Sequence, residues 1–90
     1  MTTDITATLE ERGKRYGRFT DHALITQHLK KVIFIHTPPS HLADDQQEAL
    51  DTICHKIGRI INGDPDYADS WHDIAGYAQL VADRLNGVER

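Results

Sequence analysis

One cysteine, one tryptophan, one methionine and three prolines in 90 residues exclude several architectures at once. A lone thiol, Cys54, cannot close a disulfide within the chain, so no cystine framework substitutes for a hydrophobic core. It falls in an apolar stripe, where a free cysteine acts as a small core residue, and it fits a reducing compartment. No apolar run approaches the ~18 residues that a membrane span needs, and Met-Thr-Thr-Asp-Ile has no signal-peptide character. A cytoplasmic protein with no membrane partner is the expectation. Fourteen acidic residues against ten basic ones leave a net charge of −4, which argues against general nucleic-acid binding. There is no cysteine–histidine set with zinc spacing, no serine or cysteine nucleophile beside a base, no P-loop and no dinucleotide fingerprint.

With 39% hydrophobic and 27% charged residues, the composition is that of one globular domain, residues 1–90. Gly13, Gly17, Pro38-Pro39 and Asn62-Gly63-Asp64-Pro65 divide it into four helical pieces. The first runs from about Thr3 to Arg15. The second begins at Thr20-Asp21 and ends in Val32-Ile33-Phe34-Ile35, a strand-like run read as helix because no second strand exists to pair with it. The third spans Ser40 to Ile61, with Leu42, Leu50, Ile53, Cys54, Ile57, Ile60 and Ile61 forming one wide apolar face. Gly63 suits a left-handed cap, and Pro65 stops the helix. The fourth starts at Asp69 or Ser70, carries Trp71, Ile74, Ala75, Ala78, Leu80, Val81 and Leu85, and closes at Asn86-Gly87. The expected fold is therefore all-α, a small bundle of about four helices with a long antiparallel C-terminal hairpin. A core of this size supplies only roughly 3–5 kcal/mol. The apolar faces of helices three and four exceed what two short partners cover, so a homo-oligomer, dimer or larger, is expected, with Trp71 as a core or interface anchor.

The polar residues of the hairpin are the first site candidates. Asp69 and Asp73, at i and i+4, share a helix face and could hold a divalent cation such as Mg²⁺. Asp51 and His55 have the same spacing, and Glu48 precedes them. Antiparallel pairing puts residue 61 level with about 69 and residue 57 with about 73. This makes Arg59 and Lys56 the nearest partners of Asp69 and Asp73, with Asp51 and Glu48 about two turns away. Two chemistries fit: a structural ion-pair cluster, or a site that holds phosphate and metal. Near the N-terminus, Glu10-Glu11-Arg12-Gly13-Lys14-Arg15-Tyr16-Gly17-Arg18-Phe19 packs four cations around a tyrosine, enough to grip phosphates and stack a base on Tyr16. The alternative there is a charged helix end anchored by Tyr16 and Phe19.

Leu9-Glu10-Glu11-Arg12 with Arg15-Tyr16-Gly17, Lys56-Ile57-Gly58-Arg59-Ile60-Ile61-Asn62-Gly63-Asp64, and Asp69-Ser70-Trp71-His72-Asp73-Ile74-Ala75-Gly76-Tyr77-Ala78 together resemble a small phage and prophage domain family of unknown function. That family is in turn distantly similar to the MazG-like all-α nucleoside triphosphate pyrophosphohydrolases, which assemble dimers or tetramers and bind magnesium through Glu-Glu-x-x-Glu and Glu-x-x-Asp helices. Asp73 matches the aspartate of the second motif. Ser70 stands at its glutamate, with Asp69 one residue early. At the first motif stand His55, Lys56 and Arg59, where acids would be expected. Cations in place of metal ligands remove metal sites and supply direct phosphate contacts. The resemblance implies an oligomer acting on a phosphorylated nucleotide, binding it or cleaving it weakly, through Lys56, Arg59, Asp69 and Asp73, with Arg15 and Tyr16 closing the pocket. The competing expectation is a non-enzymatic phage protein that docks on a host protein.

Overall fold

The computed structural model describes residues 2–90, with side chains from residue 4 onward. Four helices follow in order: α1 (Thr2–Tyr16), α2 (Phe19–Phe34), α3 (Asp44–Asn62) and α4 (Ala68–Leu85). No strand occurs among the described residues, and the Val32–Phe34 run is the last turn of α2. None of the helices is long and apolar enough to cross a membrane.

The boundaries follow local chemistry. Helix α3 starts four residues later than Ser40, because Ser40 adopts a left-handed backbone (φ 64°). Its first turn is closed by Gln46, whose Oε1 accepts the Ala43 amide at 2.9 Å, one half of a capping box that alanine cannot complete. Helix α4 ends as the Asn86-Gly87 pair suggests. Gly87 takes φ 86°, and the Val88 amide reaches back to the Asp83 carbonyl at 2.8 Å, the pattern of a left-handed cap. Gly63 is different. Its φ of −128° is not left-handed, and the residue serves a close approach described below.

Helix α3 packs against α2 on one edge and α4 on the other, while α2 and α4 do not meet; α1 touches α2 and α3 only near its end. The three long helices thus form one layer with α3 in the middle. On the α2 side, Gly58 lies beneath Thr26 and His22, and a Cβ there would overlap the Thr26 hydroxyl. On the α4 side, Lys56 pairs with Asp73 and Asp45 with Arg84. At 3.6 residues per turn, these contacts leave α3 two free sides. One carries Glu48, Thr52 and Arg59. The other carries Leu50, Ile53, Ile57 and Ile61.

The buried core is small. Among the described residues only Ala49, Cys54 and Ile60 are buried apolar side chains, with Cys54 the most enclosed at 1% exposure. The radius of gyration is 15.3 Å, against about 12 Å for a compact 90-residue domain. Trp71 is no core anchor: it is 55% exposed, its indole donating to the Pro65 carbonyl at 2.8 Å.

Candidate functional site

Two segments 46 residues apart are clamped together at one end of the layer. The Asn62 amide donates to the carbonyls of Tyr16 and Arg18, each at 2.9 Å. The Asp64 amide donates to the Arg15 carbonyl at 2.8 Å. This approach requires Gly63, since a Cβ would overlap the Arg15 carbonyl and the Tyr16 backbone. The clamp fixes the turn from α1 into α2 against the end of α3.

Side chains then interleave over the clamp. The Arg59 guanidinium lies 4.2 Å from the Tyr16 ring centre. Tyr16 meets Tyr67 edge-on, 6.1 Å between centroids at 70°. Arg15 covers the far ring, 4.3 Å from its centre. Tyr67 donates its hydroxyl to Asp69 at 2.9 Å, and that hydrogen bond, with burial second, holds the phenol above its ordinary pKa. Arg15 also bonds Glu11 at 3.0 Å.

Beside this stack opens a pocket of about 440 Å³, lined by Arg12, Arg18, Arg59, Tyr16, Phe19, His22 and His55, with Leu9 and two glycines at its rim. Three arginines therefore border one concavity. Arg18 has a single carboxylate neighbour, Asp21, at a loose 3.9 Å. Among the described residues, neither Arg12 nor Arg59 has an ion-pair partner. Phe19 is not the core anchor that its composition suggests; it lines the pocket and is 77% exposed.

Two histidines belong to the wall of the pocket where α2 meets α3. His22 Nε2 and His55 Nδ1 are 3.2 Å apart, with the ring planes at 82°, and the Thr26 hydroxyl lies 3.4 Å from the same His22 nitrogen. Burial lowers the pKa of His55 to about 4, with Arg59, His22, Lys56 and Lys30 all opposing a further positive charge. His22 is lowered as well, chiefly by burial and then by Arg59, against an opposing contribution from the Gly58 backbone. Its Nδ1 is buried without a hydrogen-bond partner of good geometry. Both rings are neutral near pH 7, so one N–H is shared between them and the positive charge of the pocket is that of the guanidiniums.

The other sequence candidates are dispersed. Lys56 pairs with Asp73 at 2.9 Å, as the hairpin register implies, and its side chain is largely covered. Arg59 does not reach Asp69 or Asp73: three residues on from Lys56, it has rotated away from α4 towards α1, where the Tyr16 face receives it. Asp69 is engaged by Tyr67. Asp51 faces Lys30 across the other edge, at 3.6 Å. Glu48 borders a separate hollow between α3 and α4, next to the bidentate Asp45–Arg84 pair. Among the described residues no three histidine, cysteine, aspartate or glutamate side chains gather as a metal cage.

Of the residues expected to form one pocket, the structure places Tyr16 and Arg59 in its wall, while Arg15 lies over Tyr67 outside it and Lys56, Asp69 and Asp73 do not line it. Sequence reasoning missed the roles of Asn62, His22 and His55. Asn62 reads as turn chemistry from its neighbours, and a histidine pair 33 residues apart on two helices leaves no spacing to notice. No family model, curated protein or solved structure matches the chain.

Proposed function

We propose that the pocket between α1, α2 and α3 binds the phosphates of a phosphorylated nucleotide, and that the chain does so as an oligomer. The observation that carries this reading is the convergence of Arg12, Arg18 and Arg59 on one concavity without carboxylates to neutralise Arg12 and Arg59. Guanidinium groups have fixed donor geometry and grip phosphate oxygens through parallel hydrogen bonds. Left without an anion, three like charges at one site repel each other; an anionic ligand removes that repulsion. The exposed face of Phe19 offers a surface for a base, since stacking on an aromatic ring needs no sequence-specific hydrogen bond.

Hydrolysis is the weaker half of the reading. Asp69 and Asp73, the carboxylates that the MazG resemblance assigns to magnesium, are engaged by Tyr67 and Lys56. A magnesium-dependent step would have to release Asp73 from Lys56 before the carboxylate could serve as a ligand. Binding is therefore the activity that the geometry supports best, with Arg59 as its central residue.

A thermal-shift screen of nucleoside mono-, di- and triphosphates, with and without Mg²⁺, tests the proposal. A ligand at 100 times its dissociation constant adds about 2.7 kcal/mol, a shift of roughly 10–20 °C for a domain of this size. The expected result is stabilisation that grows with the number of phosphates and survives removal of Mg²⁺. No shift with any nucleotide would favour the competing reading, a protein that acts only by docking on another protein.

A further inference from the structure

Among its arginines the pocket holds one fixed acceptor. His55 lies one helical turn before Arg59 on α3 and lines the same wall. Its Nδ1 is committed to His22 Nε2 at 3.2 Å. Its other nitrogen, Nε2, has no protein partner among the described residues. Nor is it sealed from solvent: among the described buried and half-buried residues, His22 Nδ1 is the one partnerless side-chain nitrogen or oxygen so enclosed. The direction of the bond between the two rings decides what His55 Nε2 carries. The Nδ1 edge of His22 packs on the backbone of Gly58, where a Cβ would meet it at 3.0 Å, and that backbone, unlike burial, favours a proton on the His22 ring. With the proton on Nδ1, His22 Nε2 is a lone pair facing the Thr26 hydroxyl at 3.4 Å and His55 Nδ1. Both neighbours can donate to it. The reverse tautomer buries a lone pair at His22 Nδ1 with nothing to donate to it, which is costly. His55 therefore donates through Nδ1 and presents a bare lone pair at Nε2. Burial, with Arg59 beside it, keeps the ring neutral, so the lone pair persists at neutral pH.

An acceptor among guanidiniums sorts the parts of a ligand. Phosphate oxygens are repelled by the lone pair and drawn to the arginines, whereas a hydroxyl of the same ligand finds in Nε2 a partner that guanidinium cannot provide. The groups along the wall follow the order of a nucleotide. The Phe19 ring lies 6.3 Å from the His22 ring, His22 lies 4.6 Å from His55, and Arg59 follows His55 by one turn of α3. An aromatic platform, an acceptor and a cation thus succeed one another as base, sugar and phosphate do. We propose, resting on the phosphate site above, that His55 Nε2 accepts a hydrogen bond from a sugar hydroxyl of the bound nucleotide. The pocket then selects nucleotides with a complete ribose over those with a deoxygenated sugar.

Calorimetric titration of the wild-type chain with ATP, its 2′-deoxy, 3′-deoxy and dideoxy forms, and inorganic tripolyphosphate tests this. The dideoxy form binds about 2- to 10-fold more weakly than ATP, the effect of one neutral hydrogen bond. The two monodeoxy forms show which hydroxyl is read. His55→Phe keeps a ring without the acceptor, and it binds ATP and the dideoxy form alike. Nitrogen NMR of the wild-type chain at neutral pH needs no variant: it shows His55 protonated at Nδ1 and bare at Nε2. A proton on His55 Nε2 overturns the proposal. So does equal affinity of the wild type for ATP and the dideoxy form, or discrimination that survives in a helical His55→Phe chain. Tripolyphosphate keeps the two readings apart. If it binds while the nucleotides do not differ, the sugar contact falls and the phosphate site stands; if none of the five binds, both fall.

Discussion

Arg59 places its guanidinium 4.2 Å from the centre of the Tyr16 ring and meets no carboxylate at ion-pair distance. A cation held by a ring face keeps its donor edges, because the attraction acts through the plane of the guanidinium and not through its N–H fork. The Tyr16 carbonyl is in turn held by the Asn62 side-chain amide, so the arginine is oriented without being neutralised. This combination suits an anion site and is a poor arrangement for stability alone.

The clamp makes the first prediction. Asn62→Ala removes both bonds to the Tyr16 and Arg18 carbonyls. At a net 0.5–1.5 kcal/mol for a typical hydrogen bond, the loss is about 1–3 kcal/mol, measured as a lower midpoint in urea. Because the clamp also aims Arg18 and Tyr16, nucleotide-dependent thermal stabilisation falls in the same variant. An Asn62→Ala chain of wild-type stability contradicts the clamp.

The histidine pair gives a pH dependence. His55 has a pKa of about 4 in the folded chain, below the ordinary value near 6.5, and His22 is shifted in the same direction. The unfolded chain therefore binds more protons than the folded one between these values, and stability falls as pH drops from about 6.5 towards 4. Above pH 7 the contribution is complete. Melting temperatures across that range should decline with acidification and decline less steeply in His55→Gln; an identical slope in both proteins would remove the pair as its cause.

Much of this fold was legible in the sequence. Pro38-Pro39, Pro65 and Asn86-Gly87 break the chain where the helices break, and Cys54 is as buried as its place in the isoleucine stripe implies. The hairpin register correctly opposed Lys56 to Asp73. It misplaced Arg59, because a register gives the level of a residue along two helices and not its angle around one. The same omission made Phe19 look like a core anchor and left open whether Trp71 anchors a core or an interface: periodicity identifies an apolar side but not whether this chain covers it. His22 and Asn62 act through tertiary contacts with distant segments, which no local pattern encodes.

Asp73→Asn separates scaffold from site. The Lys56–Asp73 pair is partly exposed on the aspartate side, where such pairs contribute about 1 kcal/mol or less. The variant should therefore melt within a few degrees of the wild type and keep its affinity for nucleotide. Magnesium-dependent release of pyrophosphate by the wild-type chain, lost in Asp73→Asn, would instead make the aspartate a metal ligand and the protein a hydrolase.

Calorimetric titration of ATP into the wild-type chain and into Arg59→Ala, in a buffer without Mg²⁺, bears most directly on the phosphate site. Hydrogen bonds to charged groups contribute about 1.5–3 kcal/mol, so Arg59→Ala should bind ATP roughly 10- to 100-fold more weakly while its helical spectrum stays unchanged. Equal affinity in the two proteins, or no binding by the wild-type chain, would contradict a phosphate site built on Arg59.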